Sequence, residues 1–430
     1  MSPRIARRLY TLGWWLAIPM AGLYLVWRAL RQREYLRHWG ERFLGRGASA
    51  SGERVIWLHA VSVGETRAAQ PLIDALARAH PQVRFVLTHM TPTGRVVGES
   101  IARELPGRVV QRYLPYDLPF AVRRFLKEAH PSVGVLLETE AWPNLLFGAQ
   151  AASIPMVLIN ARLSEKSAAK AQRFEALIRP AAANLARITA QSEADRARLA
   201  RIYDGPIDVL GNMKFDLAPL PQLIEQGRLA RSRWGSRQVW LAASTREGEE
   251  VLILDALARR TDRSAWLLIV PRHPQRFDEV ARLITERGLK LVRRSSAAWN
   301  ATPGDTAVLL GDSMGEMSMY YAAADVALIG GSLRPFGAQN LIESCAVGTP
   351  VVLGPSTFNF AQAAEDALAA GAAIQVADAE AALAAMDQLT RDPERLQAMR
   401  AAALQFAAAH RGATARTAAM IGQVLAAGAA

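Results

Sequence analysis

The chain has 430 residues, 51% of them apolar, a formal net charge of +12 that comes almost wholly from arginine, and one cysteine, Cys345. That length accommodates two domains with separate cores, and a lone cysteine excludes an intrachain disulfide or a Cys-based zinc site. The basic balance suits anionic partners such as phosphorylated substrates or an acidic membrane surface, while no zinc-finger spacing, aromatic RNA-binding signature or Lys/Arg block with interleaved aromatics points to nucleic acid.

The first predicted element is a helix. No charged residue occurs from Leu9 to Trp27, and Arg4, Arg7 and Arg8 on one side and Arg28, Arg31 and Arg33 on the other bracket the run. At roughly 1.5 Å per residue this length just reaches across a hydrocarbon core of about 30 Å. Trp14, Trp15, Tyr24 and Trp27 supply interfacial aromatics, and no small-residue cleavage site comes after them. The reading is an uncleaved membrane anchor that spans the bilayer, with an in-plane helix left open by Pro19 and the basic N-terminus. Arginines between Arg28 and Arg46 favour a cytoplasmic position for the remainder of the chain. Residues 1–45 are therefore expected to be anchor and basic juxtamembrane segment, followed by a Gly/Ser/Ala linker from Leu44 to Gly52.

Beyond the linker, short β-rich runs alternate with helical segments. "VIWLH", "RFVLTHM", "VGVLLETE", "PMVLINARL" and "RITAQS" form one series; "QVWLAAST", "AWLLIVPRHP", "TAVLLGDS", "DVALIGGS" and "PVVLGPS" form another. Such alternation predicts parallel sheets covered by helices. The expected architecture is α/β: two Rossmann-like, doubly wound domains facing each other across a cleft, over residues 50–215 and 236–430, with a linker over 216–235. Both series open with S-x-x-E, at Ser62–Glu65 and Ser244–Glu247, which is the pattern of a capping box. For Glu65 this leaves two roles open, holding a helix start or taking a proton from a substrate.

Further on, Glu138 and Glu140 end a buried strand two residues apart and are expected on one face. Paired carboxylates need a cation or a proton between them. Lys214, in a chain that otherwise uses arginine, offers a compact ammonium for a developing negative charge. Arg272 directly follows a strand, where a guanidinium grips phosphate or carboxylate, and His273 has no partner at metal-ligand spacing. Gly311 to Glu316 reads as a loop entering a helix; Gly330, Gly331 and Ser332 end a strand; Gly337 and Asn340 head a helix with Glu343 one turn in. Helix starts that face a phosphate, with an acid for ribose hydroxyls, outline a nucleotide-sugar site.

"LHAVSVGET", "THMTPTG", "YLPYDLP", "ETEAWPN", "NARLSEKS", "GNMKFD", "STREGEE", "VPRHPQRF", "GDSMGEM" and "GPSTFNF", in order from about residue 35 to residue 360, resemble the successive motifs of the 3-deoxy-D-manno-octulosonic acid (Kdo) transferases. The resemblance implies a GT-B glycosyltransferase bound to the cytoplasmic face of the inner membrane. It implies transfer of Kdo from CMP-Kdo to the lipid A precursor lipid IVA, with inversion and without a metal or other cofactor. Residue by residue, Glu65 matches the family's catalytic base, and Glu138 and Lys214 match groups assigned to transition-state stabilisation. Pro271, Arg272, Met314, Gly315, Glu316, Asn340, Leu341, Ile342 and Glu343 match CMP contacts. One departure stands in this set: where the family usually reads GGHNPLE, residues 337–343 read GAQNLIE, without the second glycine, the histidine and the proline. A first-turn glutamate is expected to be kept ionised by the helix dipole, so that capping and catalysis coexist in Glu65. Two other readings are a GT-B enzyme using a UDP-sugar and a non-catalytic, membrane-tethered binding protein; intact Glu65, Glu138 and Lys214 argue against the latter.

Overall fold

The computed structural model describes residues 1–30, 32–48, 54–140, 142–262, 264–300 and 307–427. Arg31 and the linker from residue 49 through Gly52 lie outside them. The chain divides into two compact units, Met1–Leu217 together with Gly412–Ala430, and Ala218–Arg411.

The first unit opens with helix α1 (Pro3–Ala29), which begins with Pro3 in its first turn, where a missing N–H costs nothing. By length and composition alone it is able to cross a membrane. Leu9, Leu12, Leu16, Met20, Leu23 and Trp27 are each more than half exposed. The opposite face is docked near both ends. Tyr10 donates to Asp117 at 2.9 Å and Trp14 stacks on Trp142 with centroids 5.5 Å apart, while Leu25 and Ala29 pack with Tyr35, Trp39 and Phe43. The basic segment after it is part of the core as well. In helix α2 (Trp39–Leu44), Arg42 is 1% exposed, lies 3.6 Å over the Tyr113 ring and donates to the Met90 carbonyl at 3.0 Å. The carboxylate of Glu41 accepts from Arg95 and from the Tyr113 N–H, both at 2.7 Å.

Then come β1 (Val55–His59), α3 (Val63–Ala79), β2 (Arg84–His89), α4 (Pro92–Glu104), β3 (Val109–Tyr113), α5 (Pro119–Ala129), β4 (Val133–Leu137), α6 (Pro143–Ala151), β5 (Met156–Ala161), α7 (Glu165–Arg173), α8 (Glu175–Ala182), β6 (Leu185–Ala190), α9 (Glu193–Leu199) and β7 (Ile207–Val209). The strands form one parallel sheet in the order β3-β2-β1-β4-β5-β6-β7. Strand β1 shows why both faces are covered: Val55 and Trp57 join an apolar layer with Phe125 and Leu146, while Ile56 and Leu58 join another with Leu72 and Leu76. This period of two with no polar face is what a central parallel strand requires.

The second unit holds α10 (Pro221–Arg233), β8 (Val239–Thr245), α11 (Glu249–Arg259), β9 (Trp266–Pro271), α12 (Phe277–Thr285), β10 (Leu291–Arg293), β11 (Val308–Leu310), α13 (Met317–Ala323), β12 (Val326–Ile329), α14 (Ile342–Val347), β13 (Val351–Leu353), α15 (Ala361–Ala369), β14 (Ala373–Gln375), α16 (Ala379–Arg391) and α17 (Pro393–Ala409). Its parallel sheet runs β10-β11-β9-β8-β12-β13-β14. The S-x-x-E pattern does not cap here. Ser244 has φ +57° and the helix starts only after Gly248, so Glu249 reaches back instead, accepting from the Arg246, Gly331 and Leu333 N–H groups at 2.8, 2.6 and 3.0 Å. Glu247 pairs with Arg246.

The second unit ends at Arg411, short of the expected 430. Gly412, at φ +97°, turns the chain into α18 (Ala413–Ala427), whose Met420, Ile421 and Leu425 fill the layer beside α3 in the first unit. Asp216 fixes this return by accepting from the Gly412 and Thr414 N–H groups, each at 2.6 Å. Replacing Asp216 by Ala leaves these donors without their acceptor and is expected to cost about 1–2 kcal/mol, the scale of a lost helix cap, read as a lower melting temperature of the full chain with α18 amides exchanging faster.

Candidate active site

Strand order reverses between β1 and β4 in the first unit, the switch point outside whose carboxyl ends ligands bind in such sheets. The turn after β1 carries Glu65 and the turn after β4 carries Glu138. Ser62 caps α3 by accepting from the Glu65 N–H at 3.4 Å. The Glu65 carboxylate reaches one residue further back than a capping box requires, accepting from Val61 N–H at 2.8 Å and from the Ser62 hydroxyl at 2.9 Å. Both bonds favour the ionised form, yet they lose to burial and to the charge of Glu138, with a smaller push from Glu140, and Glu65 is raised to about 7. The expectation that the helix start keeps it ionised is thus corrected: it is poised near neutrality. His59, fully buried and bonded to Thr88, is pushed down by burial to about 3 and stays neutral.

Glu138 and Glu140 do not share a strand face. Strand β4 stops at Leu137, Glu138 takes a left-handed φ of +59°, and the two side chains go separate ways. Lys214 Nζ lies 2.8 Å from one Glu138 oxygen and Arg162 Nε 3.4 Å from the other. Burial alone lifts Glu138, but Lys214 and Arg162 outweigh it and hold the carboxyl below its ordinary value. Glu140 accepts from the Trp142 indole at 2.8 Å. Burial raises Glu140, the indole partly offsets this, and Glu138 adds to the rise.

Lys214 sits in a single 3-10 turn, Met213–Asp216, whose start is fixed by Asn212 accepting from the Lys214 N–H and by Asn160 accepting from the Met213 N–H, both at 3.0 Å. Asn160, left-handed at φ +52°, is itself tied to Thr189 and Gln191. Reasoning from residue type missed Asn160 and Arg162, although both lie in "NARLSEKS"; an asparagine near the end of an apolar strand and an arginine directly after that strand were the available signal.

In the second unit the expected residues also follow carboxyl ends of strands. Pro271 closes β9, and the Arg272 N–H donates to the Thr245 carbonyl at 3.0 Å. Burial lifts the Tyr321 hydroxyl well above its usual range, the charge of Glu343 adds to this and that of Arg272 opposes it. After β11, Met314 is exposed, Gly315 takes φ +81°, and Glu316 is bonded to Ser313 and, at 3.1 Å, to Arg294. Asn340 Oδ1 accepts from the Ile342 N–H at 3.0 Å, Leu341 and Ile342 are buried, and Glu343 accepts from Ser318 at 3.0 Å, joining α14 to α13. Ala338, which stands where the motif has its second glycine, is buried and keeps a left-handed φ of +62°.

The family described as 3-deoxy-D-manno-octulosonic-acid transferase (kdotransferase) matches residues 37–217, and that of glycosyl transferases group 1 matches residues 253–406. A 3-deoxy-D-manno-octulosonic acid transferase of Bordetella pertussis is 45% identical over 425 residues, covering 96% of this chain and 98% of its own. The chain belongs to the 3-deoxy-D-manno-octulosonic acid transferase family. It is a glycosyltransferase. The corresponding transferase of Haemophilus influenzae is 35% identical over 80% of each chain. Among solved structures, Anabaena Alr3699/HepE in complex with UDP covers 87% of this chain and all of its own, with TM-score 0.59 and 14% identity, which speaks for the GT-B fold alone.

The Glu65 position makes a pH-dependent prediction with a definite sign. Its folded value, about 7, lies above its ordinary 4.5. This group therefore supports folding below the ordinary value, and that support is lost as pH rises through about 7. Glu65→Gln, whose amide still accepts from Val61 and donates to Ser62, removes the loss. The variant is expected to melt above the wild type at about pH 8 and to show little difference at about pH 5, checked by thermal denaturation at both.

Proposed function

We propose that the chain transfers Kdo from CMP-Kdo to lipid IVA, with inversion at the anomeric carbon and without a metal, and that Glu65 is the general base. The observation that carries this reading is a half-buried carboxylate poised at about 7 next to a second carboxylate that is neutralised by Lys214. A base with that poise is ionised in a useful fraction at neutral pH and still gains a proton readily in the transition state. The acceptor hydroxyl gives its proton to Glu65 as it attacks the anomeric carbon, and the bond to the CMP phosphate breaks on the opposite side. Lys214, its ammonium oriented by Glu138, meets negative charge as it develops. Arg272 grips the donor's phosphate, and Pro271, Met314, Gly315, Glu316, Asn340, Leu341, Ile342 and Glu343 shape the remainder of the CMP site, Glu343 through the ribose hydroxyls. CMP-Kdo is the donor that the family resemblance implies, and the identity to the Bordetella relative over nearly the whole chain supports the same chemistry.

The position at the membrane is argued from α1. A spanning helix is replaced in this reading by one lying in the plane of the cytoplasmic leaflet, because its docked face would otherwise drag Asp117, Asn144 and the body around them into hydrocarbon. The apolar face from Leu9 to Trp27 enters the lipid, and the flanking arginines meet anionic headgroups.

The deciding experiment is mass spectrometry of products formed by the purified full-length protein with CMP-Kdo and a tetraacylated disaccharide bisphosphate. Addition of Kdo is expected; turnover with a UDP-sugar in place of CMP-Kdo would overturn the reading. Glu65→Gln is expected to reduce turnover by at least about a hundredfold while CMP affinity by calorimetry stays near normal. Arg272→Ala is expected to weaken CMP binding by about 1.5–3 kcal/mol, the scale of one charge-assisted hydrogen bond.

A further inference from the structure

Helix α1 touches more than lipid. Four of its side chains, Arg7, Tyr10, Thr11 and Trp14, make contacts that lead to the short segment between β4 and α6, which carries Glu138 and Glu140. Trp14 stacks on Trp142 at 5.5 Å and 28°, and the Trp142 indole is the donor that holds Glu140 at 2.8 Å. Tyr10 donates at 2.9 Å to Asp117, which is 1% exposed and accepts from the Asn144 and Leu145 N–H groups at 2.9 and 2.8 Å. Those two groups belong to the first turn of α6, where no helical carbonyl can serve them, so Asp117 fixes where α6 starts. The Asn144 side chain closes the set: its oxygen accepts from Arg7 at 3.2 Å and from Thr11 at 3.3 Å, and its amide donates to the Asp117 carbonyl at 2.8 Å.

One end of the segment is thus anchored to the sheet at Leu137 and the other to α1. We infer that α1 is a positioning element of the active site: its docked face, through Trp14, Tyr10 and Thr11, sets the segment that presents Glu138 and Glu140. Membrane residence and catalytic geometry are then joined in one helix, so the first unit is not a finished catalytic body to which an anchor was added. This rests on the Kdo-transfer reading for its consequence in turnover, but the geometry itself does not depend on the substrate.

The test uses the full chain in detergent micelles with CMP-Kdo and the tetraacylated acceptor at saturation, so that loss of membrane binding does not itself lower the rate. Trp14→Ala is expected to lower kcat by about tenfold to a hundredfold, the scale of a misplaced active-site group, with the KM for CMP-Kdo unchanged. Trp14→Phe, which keeps an aromatic ring, is expected to recover most of it, and Leu16→Ala, on the exposed face, to leave kcat as it was. Hydrogen exchange of the Asn144 and Leu145 amides supplies a readout without turnover, expected to accelerate in Tyr10→Phe, which retains the ring but not the bond to Asp117. Should Trp14→Ala not fold, Tyr10→Phe decides by both readouts. Unchanged kcat and unchanged exchange in these variants, or equal losses in Trp14→Ala and Leu16→Ala, would overturn the inference while the wild type still transfers Kdo. A wild type that transfers no Kdo overturns the functional reading instead, and the exchange measurement still decides the role of α1.

Discussion

Two carboxylates that feel each other in a half-buried place cannot both be ionised without a cation beside one of them, and the ion pair between Glu138 and Lys214 is what makes this candidate site tenable. With Lys214 at 2.8 Å and Arg162 at 3.4 Å, Glu138 stays charged. Its charge then falls on Glu65, which is paired with no cation among the described residues and answers by holding its proton to about 7. One arrangement produces a fixed ion pair and a group free to exchange a proton. Much of the first unit serves to bring Lys214 there: Asn160 and Asn212 set the turn, and Asp216 at the other end of the same turn captures α18. Four different strand ends contribute, which is why a doubly wound sheet, with its carboxyl ends gathered along one edge, is a suitable frame.

The sheets were legible because central parallel strands are apolar on both faces and stop in polar clusters, as in Val55–His59. The start of α3 was legible too, since Ser62 does cap it. The parts that stayed hidden have their cause in the backbone. Counting along "LLETE" assumes an extended chain, but the left-handed turn at Glu138 sends its side chain to Lys214, 76 residues away in sequence, and no local rule foresees that. The same limit applies to the second S-x-x-E: a left-handed Ser244 and a left-handed Gly248 delay the helix, so Glu249 takes the part that spacing gave to Glu247. For α1, composition described the exposed face well. The docked face was hidden because Tyr10, Thr11 and Trp14 look like ordinary residues of an interfacial helix until Asp117 and Trp142 are seen beside them.

In the second unit the departure from the family's pattern has a physical cost that can be placed. Ala338 occupies a left-handed conformation that glycine would adopt without strain, and its backbone is held there by N–H bonds from Ala338 and Gln339 to the Gly331 and Gly330 carbonyls, both at 2.8 Å. These two backbone bonds to the neighbouring strand end hold the loop in its left-handed turn. Just beyond it, Asn340 accepts from the Ile342 N–H at the start of α14 and Glu343 accepts from Ser318.

The return of α18 to the first unit gives the chain a particular order of assembly. When residue 411 has been added to the chain, every strand of the second unit's own sheet has been synthesised. The first unit, though begun earlier, lacks Met420, Ile421 and Leu425 until α18 follows, and the apolar layer beside α3 stays incomplete for that time. The earlier half of the chain is therefore completed only by a segment that is synthesised after the whole of the later half.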